Sequence, residues 1–179
     1  MTGFVLAGGR SSRMGRDKAL LDWHGRTLLQ HMVDLLSSVT GRVQVVGRDP
    51  LPDRVPDHGP LSGIATALET SETNAILVVA VDLPFLTRDF LNYLRSQADV
   101  SKSRLIACKI GSDYPLCFVM QRALLPEVQS RLAAKRLSVH GLIEDSAAFV
   151  VSESQLRAAG FDPSLFRNIN TEDDYRASL

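Results

Sequence analysis

Residues Ala75 to Val81 read Ala-Ile-Leu-Val-Val-Ala-Val, apolar at every position, and the run stops at Asp82. A strand with one wet face would alternate apolar and polar residues. An unbroken apolar strand belongs at the centre of a sheet covered on both faces, and such sheets are mainly parallel with helices packed on each side. The rest of the chain keeps the matching rhythm. Gly3 to Ala7, Val43 to Val46, Arg104 to Lys109, Pro115 to Met120 and Ala148 to Val151 read as further strands. Helices are expected over Thr27 to Val39, Leu61 to Leu68, the stretch through Phe90, Leu91 and Leu94, Ala123 to Ala134, Ser138 to Ile143 and Thr171 to Ala177. Thr87 is placed to cap one of them, and Thr171 with Asp174 has the spacing of a capping box. No internal repeat, low-complexity tract or linker interrupts the pattern. It predicts one three-layer α/β domain over residues 1–179 with a mainly parallel central sheet.

In open α/β sheets, ligands sit at the carboxyl ends of the strands. Three strand ends, Ala7-Gly8, Gly47-Arg48 and Val81-Asp82, are therefore expected on one rim. The first runs into Gly8-Gly9-Arg10-Ser11-Ser12-Arg13-Met14-Gly15-Arg16-Asp17-Lys18, which holds three glycines, three arginines, two serines and a lysine. Glycines let several backbone N–H groups converge on one point, and the cations add full charges around it, an arrangement suited to a di- or triphosphate. The spacing is not that of a Walker loop, because Lys18 lies three residues after Gly15 and is followed by Ala19. Nor does it contain the Gly-x-Gly-x-x-Gly of dinucleotide folds. An ordinary basic loop is the plainer alternative. Asp82, at the end of a buried strand, is costly unless ionised beside a partner, and Mg²⁺ on phosphate oxygens would be one. A turn or cap aspartate ahead of Thr87 is the structural alternative.

Lys+Arg and Asp+Glu both total 20, so the formal net charge is zero and extended nucleic-acid binding is disfavoured. Positive charge is concentrated at residues 10–18, which suits a small anion. Cys108 and Cys117 read as buried free thiols rather than a zinc or disulfide framework. No signal peptide is apparent, and no apolar stretch approaches the ~20 residues of a membrane span, so a cytoplasmic protein with no membrane partner is expected. His24, His31, His58 and His140 lack metal-site spacing, and His31 reads as a satisfied core residue. Leu61-Ser62-Gly63 lacks the first glycine of a hydrolase elbow.

The stretch from Leu6 to Lys18 resembles the Leu-Ala-Gly-Gly-x-Ser-x-Arg-Met-Gly-x-Asp-Lys signature of the molybdenum cofactor guanylyltransferases, the MobA-like nucleotidyltransferase family. Three further segments are similar to that family: Gly59-Pro60-Leu61-Ser62-Gly63, Asp82-Leu83-Pro84 and Asn168-Ile169-Asn170-Thr171. The resemblance implies a Rossmann-like nucleotidyltransferase fold and transfer of GMP from GTP to the phosphate of a molybdopterin-type cofactor, with release of pyrophosphate. It implies nucleotide binding by Leu6, Ala7, Gly8, Gly9, Lys18, Asp57, Gly59, Pro60, Leu61, Gly63 and Asp82. Asp82 would hold Mg²⁺, and Arg13 and Lys18 would stabilise the leaving pyrophosphate. Arg136, His140, Asn168 and Asn170 would face the second substrate, with Lys135 beside them. Transient contact with cofactor-delivery or acceptor proteins is also implied.

Four positions depart from the family pattern. Val81 replaces a cysteine, Gly47 an asparagine and His140 an arginine, and the loop after Asp57 is shortened to His58. Relatives that use CTP more often carry alanine where this chain has Gly9, so Gly8-Gly9 leans toward guanine. The alternatives are a cytidylyl- or sugar-phosphate nucleotidyltransferase of the same fold and a non-catalytic nucleotide-binding homologue. Lys18 and Asp82 together argue against the last.

Overall fold

The computed structural model describes residues 1–8, 17–52 and 58–178. Along the chain these form β1 (Thr2–Leu6), the small hairpin β2 (Asp22–Trp23) and β3 (Arg26–Thr27), α1 (Leu28–Ser37), β4 (Arg42–Val46), α2 (Pro60–Thr70) and β5 (Ala75–Ala80). There follow α3 (Arg88–Ser101), β6 (Leu105–Lys109), β7 (Cys117–Gln121), α4 (Leu125–Ala133), α5 (Val139–Asp145), β8 (Phe149–Ser152), α6 (Glu153–Ala158) and α7 (Glu172–Arg176). The main sheet has six strands in the order β4-β1-β5-β7-β6-β8. β1 pairs in parallel with β4 and β5, and β6 pairs in parallel with β8. Only β7 runs against its neighbours in this sheet. It follows β6 through a tight turn closed by the Ile110–Asp113 bridge, with no helix to carry the chain back across the sheet.

The period-two alternation of side chains divides each strand between two apolar layers. Val5, Leu77, Val79, Ile106, Cys108, Cys117 and Val119 pack beneath α1 and α3, against Leu28, Met32, Leu36, Phe90 and Leu94. Phe4, Ile76, Val78, Ala107, Phe118 and Met120 face Leu61, Ile64 and Leu68 of α2 and Val128 of α4. β5 is thus covered on both sides, as its unbroken apolar run predicts. Both cysteines are buried and free, and burial pushes the Cys108 thiol up to about 12.

The caps expected at Thr87 and Thr171 are in place, Thr87 accepting from Phe90 N at 3.3 Å. Thr27, expected as the first helical residue, is instead the cap of α1 and accepts from Gln30 N at 3.1 Å. Thr171 and Asp174 bond reciprocally, and the Asp174 carboxylate also accepts from Asn170 N at 2.9 Å. Those hydrogen bonds, that of Thr171 foremost, hold the Asp174 carboxyl below the usual range. His31 is a structural residue. Its Nε2 faces the Pro84 carbonyl at 2.9 Å and so donates, which leaves Nδ1 to accept from Arg26 at 3.0 Å. Burial lowers its pKa, in keeping with a neutral ring.

Two elements lie outside the sequence expectations. The β2–β3 hairpin turns through His24 and Gly25, both at positive φ, and buries Trp23. α6 starts at a Ser152–Gln155 capping box, a sequence signal four residues long that could have revealed it.

Candidate active site

β1, β4 and β5 end level with one another: Leu6 is in register with Val46 on one side and Ala80 on the other. Pairing continues one step further, Ala7 N donating to Val46 O at 2.9 Å and Val81 N to Leu6 O at 3.0 Å. Gly8, Gly47 and Asp82 therefore leave the sheet on one rim. Gly47 has φ +90°, and a Cβ there would stand 2.3 Å from the Gly8 Cα. The ends of β1 and β4 approach too closely for a side chain, which is a steric reason for glycine where the family pattern has asparagine. Gly47→Asn is expected to cost ~2 kcal/mol, roughly 4–8 °C in Tm, unless the two strand ends separate. Thermal unfolding of the ligand-free protein checks this, and an unchanged Tm would show that the rim can open.

Next to Gly47, Arg48 reaches across the rim. Its Nε donates to Ala7 O at 2.9 Å, and a terminal nitrogen donates to the Asp17 carboxylate at 2.5 Å. That guanidinium holds the Asp17 carboxyl below its ordinary range. Asp17 also accepts from Ala19 N at 3.0 Å, capping the single 3₁₀ turn Lys18–Leu20. One arginine thus ties the end of β1 to the turn that carries Lys18. Lys18 Nζ donates to Asn170 Oδ1 at 2.7 Å and lies 3.8 Å from Asp82 Oδ2. Ile169 N donates to the Asp82 carbonyl at 3.0 Å, which fixes the Asn168-x-Asn170 segment against the end of β5.

The Asp82 side chain is 22% exposed. Burial raises its pKa above the usual carboxylate value, with Lys18 opposing. No cluster of three or more His, Cys, Asp or Glu that could hold a metal occurs among the described residues. A Mg²⁺ site requires none, since that ion is commonly held by one or two carboxylates, water and substrate phosphates. The hard, partly buried oxygen of Asp82 fits such a site.

Gly59 precedes α2 at φ +64°, with Pro60 at the first helical position. α2 connects the parallel strands β4 and β5, so its N-terminus, the positive end of its dipole, faces the same rim. Leu61 and Gly63 are buried in its first turn. Gly9, Arg13 and Asp57 lie outside the described residues.

Beside Asp82 opens a cleft of about 520 Å³, lined by His140 and Asn168 together with Tyr114, Leu116, Phe166 and Arg167. His140 meets Tyr114 edge-on, with ring centroids 4.5 Å apart. Arg136 is not among the lining residues; its side chain is 59% exposed and sits 3.9 Å from Asp145. Tyr114 and Arg167 are missed by the sequence reading. Arg167 adjoins the Asn168-x-Asn170 segment, which was the available signal. Tyr114 carried none, because its place depends on the β6–β7 turn.

A mainly parallel α/β sheet with a lysine–carboxylate pair and a helix N-terminus on its carboxyl rim has the build of a nucleotide-binding α/β protein. Residues 3–148 match the family model of the MobA-like NTP transferase domain. The chain belongs to that family and is a nucleotidyltransferase. It is 30% identical over 182 residues to a molybdenum cofactor guanylyltransferase of Syntrophotalea carbinolica, covering 96% of this chain and 87% of that protein. A protein of the same name from Xanthomonas euvesicatoria is 48% identical over 99 residues, 52% of each chain. The crystal structure of molybdopterin-guanine dinucleotide biosynthesis protein A from Archaeoglobus fulgidus superposes with a TM-score of 0.84 at 22% identity, covering 99% of this chain and 96% of that one, which shows the shared fold.

Proposed function

We propose that the protein transfers GMP from GTP to the phosphate of a molybdopterin-type cofactor, releasing pyrophosphate and forming a molybdopterin guanine dinucleotide. The observation that carries this reading is Lys18, held between Asn170 and Asp82 at the rim. The guanylyltransferase named above, similar over 96% of the chain, supplies the substrates. The nucleophile is a phosphate monoester, whose second pKa near ~6 leaves it largely deprotonated at neutral pH. A general base is therefore unnecessary; charge neutralisation and in-line placement are the demands.

The chain's residues divide that work. Lys18 and Arg13 neutralise the leaving pyrophosphate. Backbone groups from Leu6 through Gly9, with the amides of Gly59 and Leu61 on either side of Pro60 at the start of α2, take the nucleotide, while Gly63 lets α2 lie close to the base. Asp57 contributes from the preceding loop. Asp82 would hold Mg²⁺, which when bound supplies charge neutralisation on the phosphate oxygens. His140, Asn168 and Asn170 face the second substrate, and Arg136 contributes from outside the cleft. The chain acts as one domain in the cytoplasm, receiving its pterin by transient contact with delivery or acceptor proteins; among the described residues no helix is long and apolar enough to cross a membrane.

Pyrophosphate release with each of four nucleoside triphosphates, Mg²⁺ and the pterin tests the reading. Release with GTP alone is expected. Release with CTP would move the protein to the cytidylyltransferases, and nucleotide binding without release would make it a non-catalytic homologue.

A further inference from the structure

We propose that Arg167 is the receptor for the phosphate monoester of the acceptor substrate, presented from the cleft beside Asp82. This inference rests on the reaction proposed above and names the group that would hold its nucleophile.

Both walls of the cleft are fastened to the end of β5. On one side Leu116 O accepts from Ala80 N at 2.8 Å, and on the other Ile169 N donates to Asp82 O at 3.0 Å. The space of about 520 Å³ is ample for a fused heterocycle with a short phosphorylated arm, and Tyr114, His140 and Phe166 give it an aromatic lining. Arg167 lines this cleft and directly precedes the Asn168-x-Asn170 segment that is bonded to the end of β5 through Ile169. Its guanidinium lies over the Phe85 ring, 4.1 Å from the centroid, and Phe85 in turn meets Trp23 edge-on at 5.5 Å. A cation–π contact of this kind restrains the guanidinium without using its N–H donors.

Among the described residues, the Arg167 side chain has no hydrogen bond or ion pair, although Asp113 lines the same cleft. Lys18 and Arg48 have such partners in Asp82 and Asp17. A guanidinium held over an aromatic ring at a heterocycle-sized cleft, with no ion pair among the described residues, is a receptor for a phosphate, which it can engage through two parallel N–H bonds. Its Cα lies three residues from that of Asn170, at most ~11 Å along the chain, so a phosphate held there is within a side chain's reach of Lys18 and Asp82.

Arg167→Gln, Arg167→Lys and wild type should be titrated by fluorescence with the phosphorylated pterin and with its dephosphorylated form. Arg167 is exposed, so the variants should keep the wild-type Tm. Arg167→Gln is expected to weaken the phosphorylated ligand at least ~10-fold, and Arg167→Lys less, with the dephosphorylated form unaffected. In turnover, the acceptor KM should rise while the GTP KM stays within about twofold. Equal losses for both pterin forms, or no loss for either, would overturn the assignment. A wild-type enzyme that binds both pterin forms but releases no pyrophosphate from GTP would instead overturn the proposed reaction, and the binding difference would still decide the role of Arg167.

Discussion

Asp82→Asn is expected to lower the rate of pyrophosphate release by roughly 10³-fold while making the ligand-free protein more stable. The two effects share a cause. Burial raises the folded-state pKa of Asp82 above its unfolded value, so ionisation at neutral pH costs folding free energy. Below the unfolded value of about 3.9 the group is protonated in both states and contributes nothing; the cost grows as pH rises through the folded pKa. The amide removes that cost with little change of shape, and Lys18 keeps its bond to Asn170. The mutant's Tm should therefore exceed that of wild type at pH 7, and the gap should close toward pH 4. With GTP and Mg²⁺ the order should reverse. Wild-type turnover by the mutant would remove Asp82 from the metal site, and an apo Tm at pH 7 below that of wild type would show that the Lys18 pairing outweighs burial.

Lys18→Ala should reduce kcat/KM for GTP by roughly 10²-fold, with a larger loss of affinity for GTP than for GMP. Lys18 is assigned to the pyrophosphate end of the nucleotide, which GMP lacks. Calorimetry on the two ligands separates this from a structural role. The ammonium also spans Asn170 and Asp82, so its loss unties the 169–170 segment from the lysine while the Ile169–Asp82 backbone bond persists. Equal losses for GTP and GMP would mean that Lys18 serves to hold that junction together.

The strands, the helices and their caps were legible because their causes are local. The apolar run before Asp82 predicts a doubly covered strand, Thr87 and Thr171 cap the helices placed after them, and the meeting of three strand ends on one rim follows from parallel topology. The β2–β3 hairpin was not legible: its strands are two residues each, too short for a period to register. At the site, Lys18 and Asp82 stood out as residue types at strand and loop ends. Their partnership with Asn170 spans 152 residues of sequence, and only packing could bring it about.

Residue chemistry and short-range pattern, read from the chain alone, determined the α/β class, the anion-seeking loop, the acid at the central strand end and the family resemblance. Tertiary structure alone decided that Arg48 joins Ala7 to Asp17, that Gly47 must be bare because Gly8 lies against it, and that Arg167 stacks on Phe85 at the edge of a cleft while Arg136 stays outside it. The physical reason is range. Propensity, capping and periodicity act over a few residues, whereas steric contact and hydrogen bonding between distant segments exist only once the sheet has set their register.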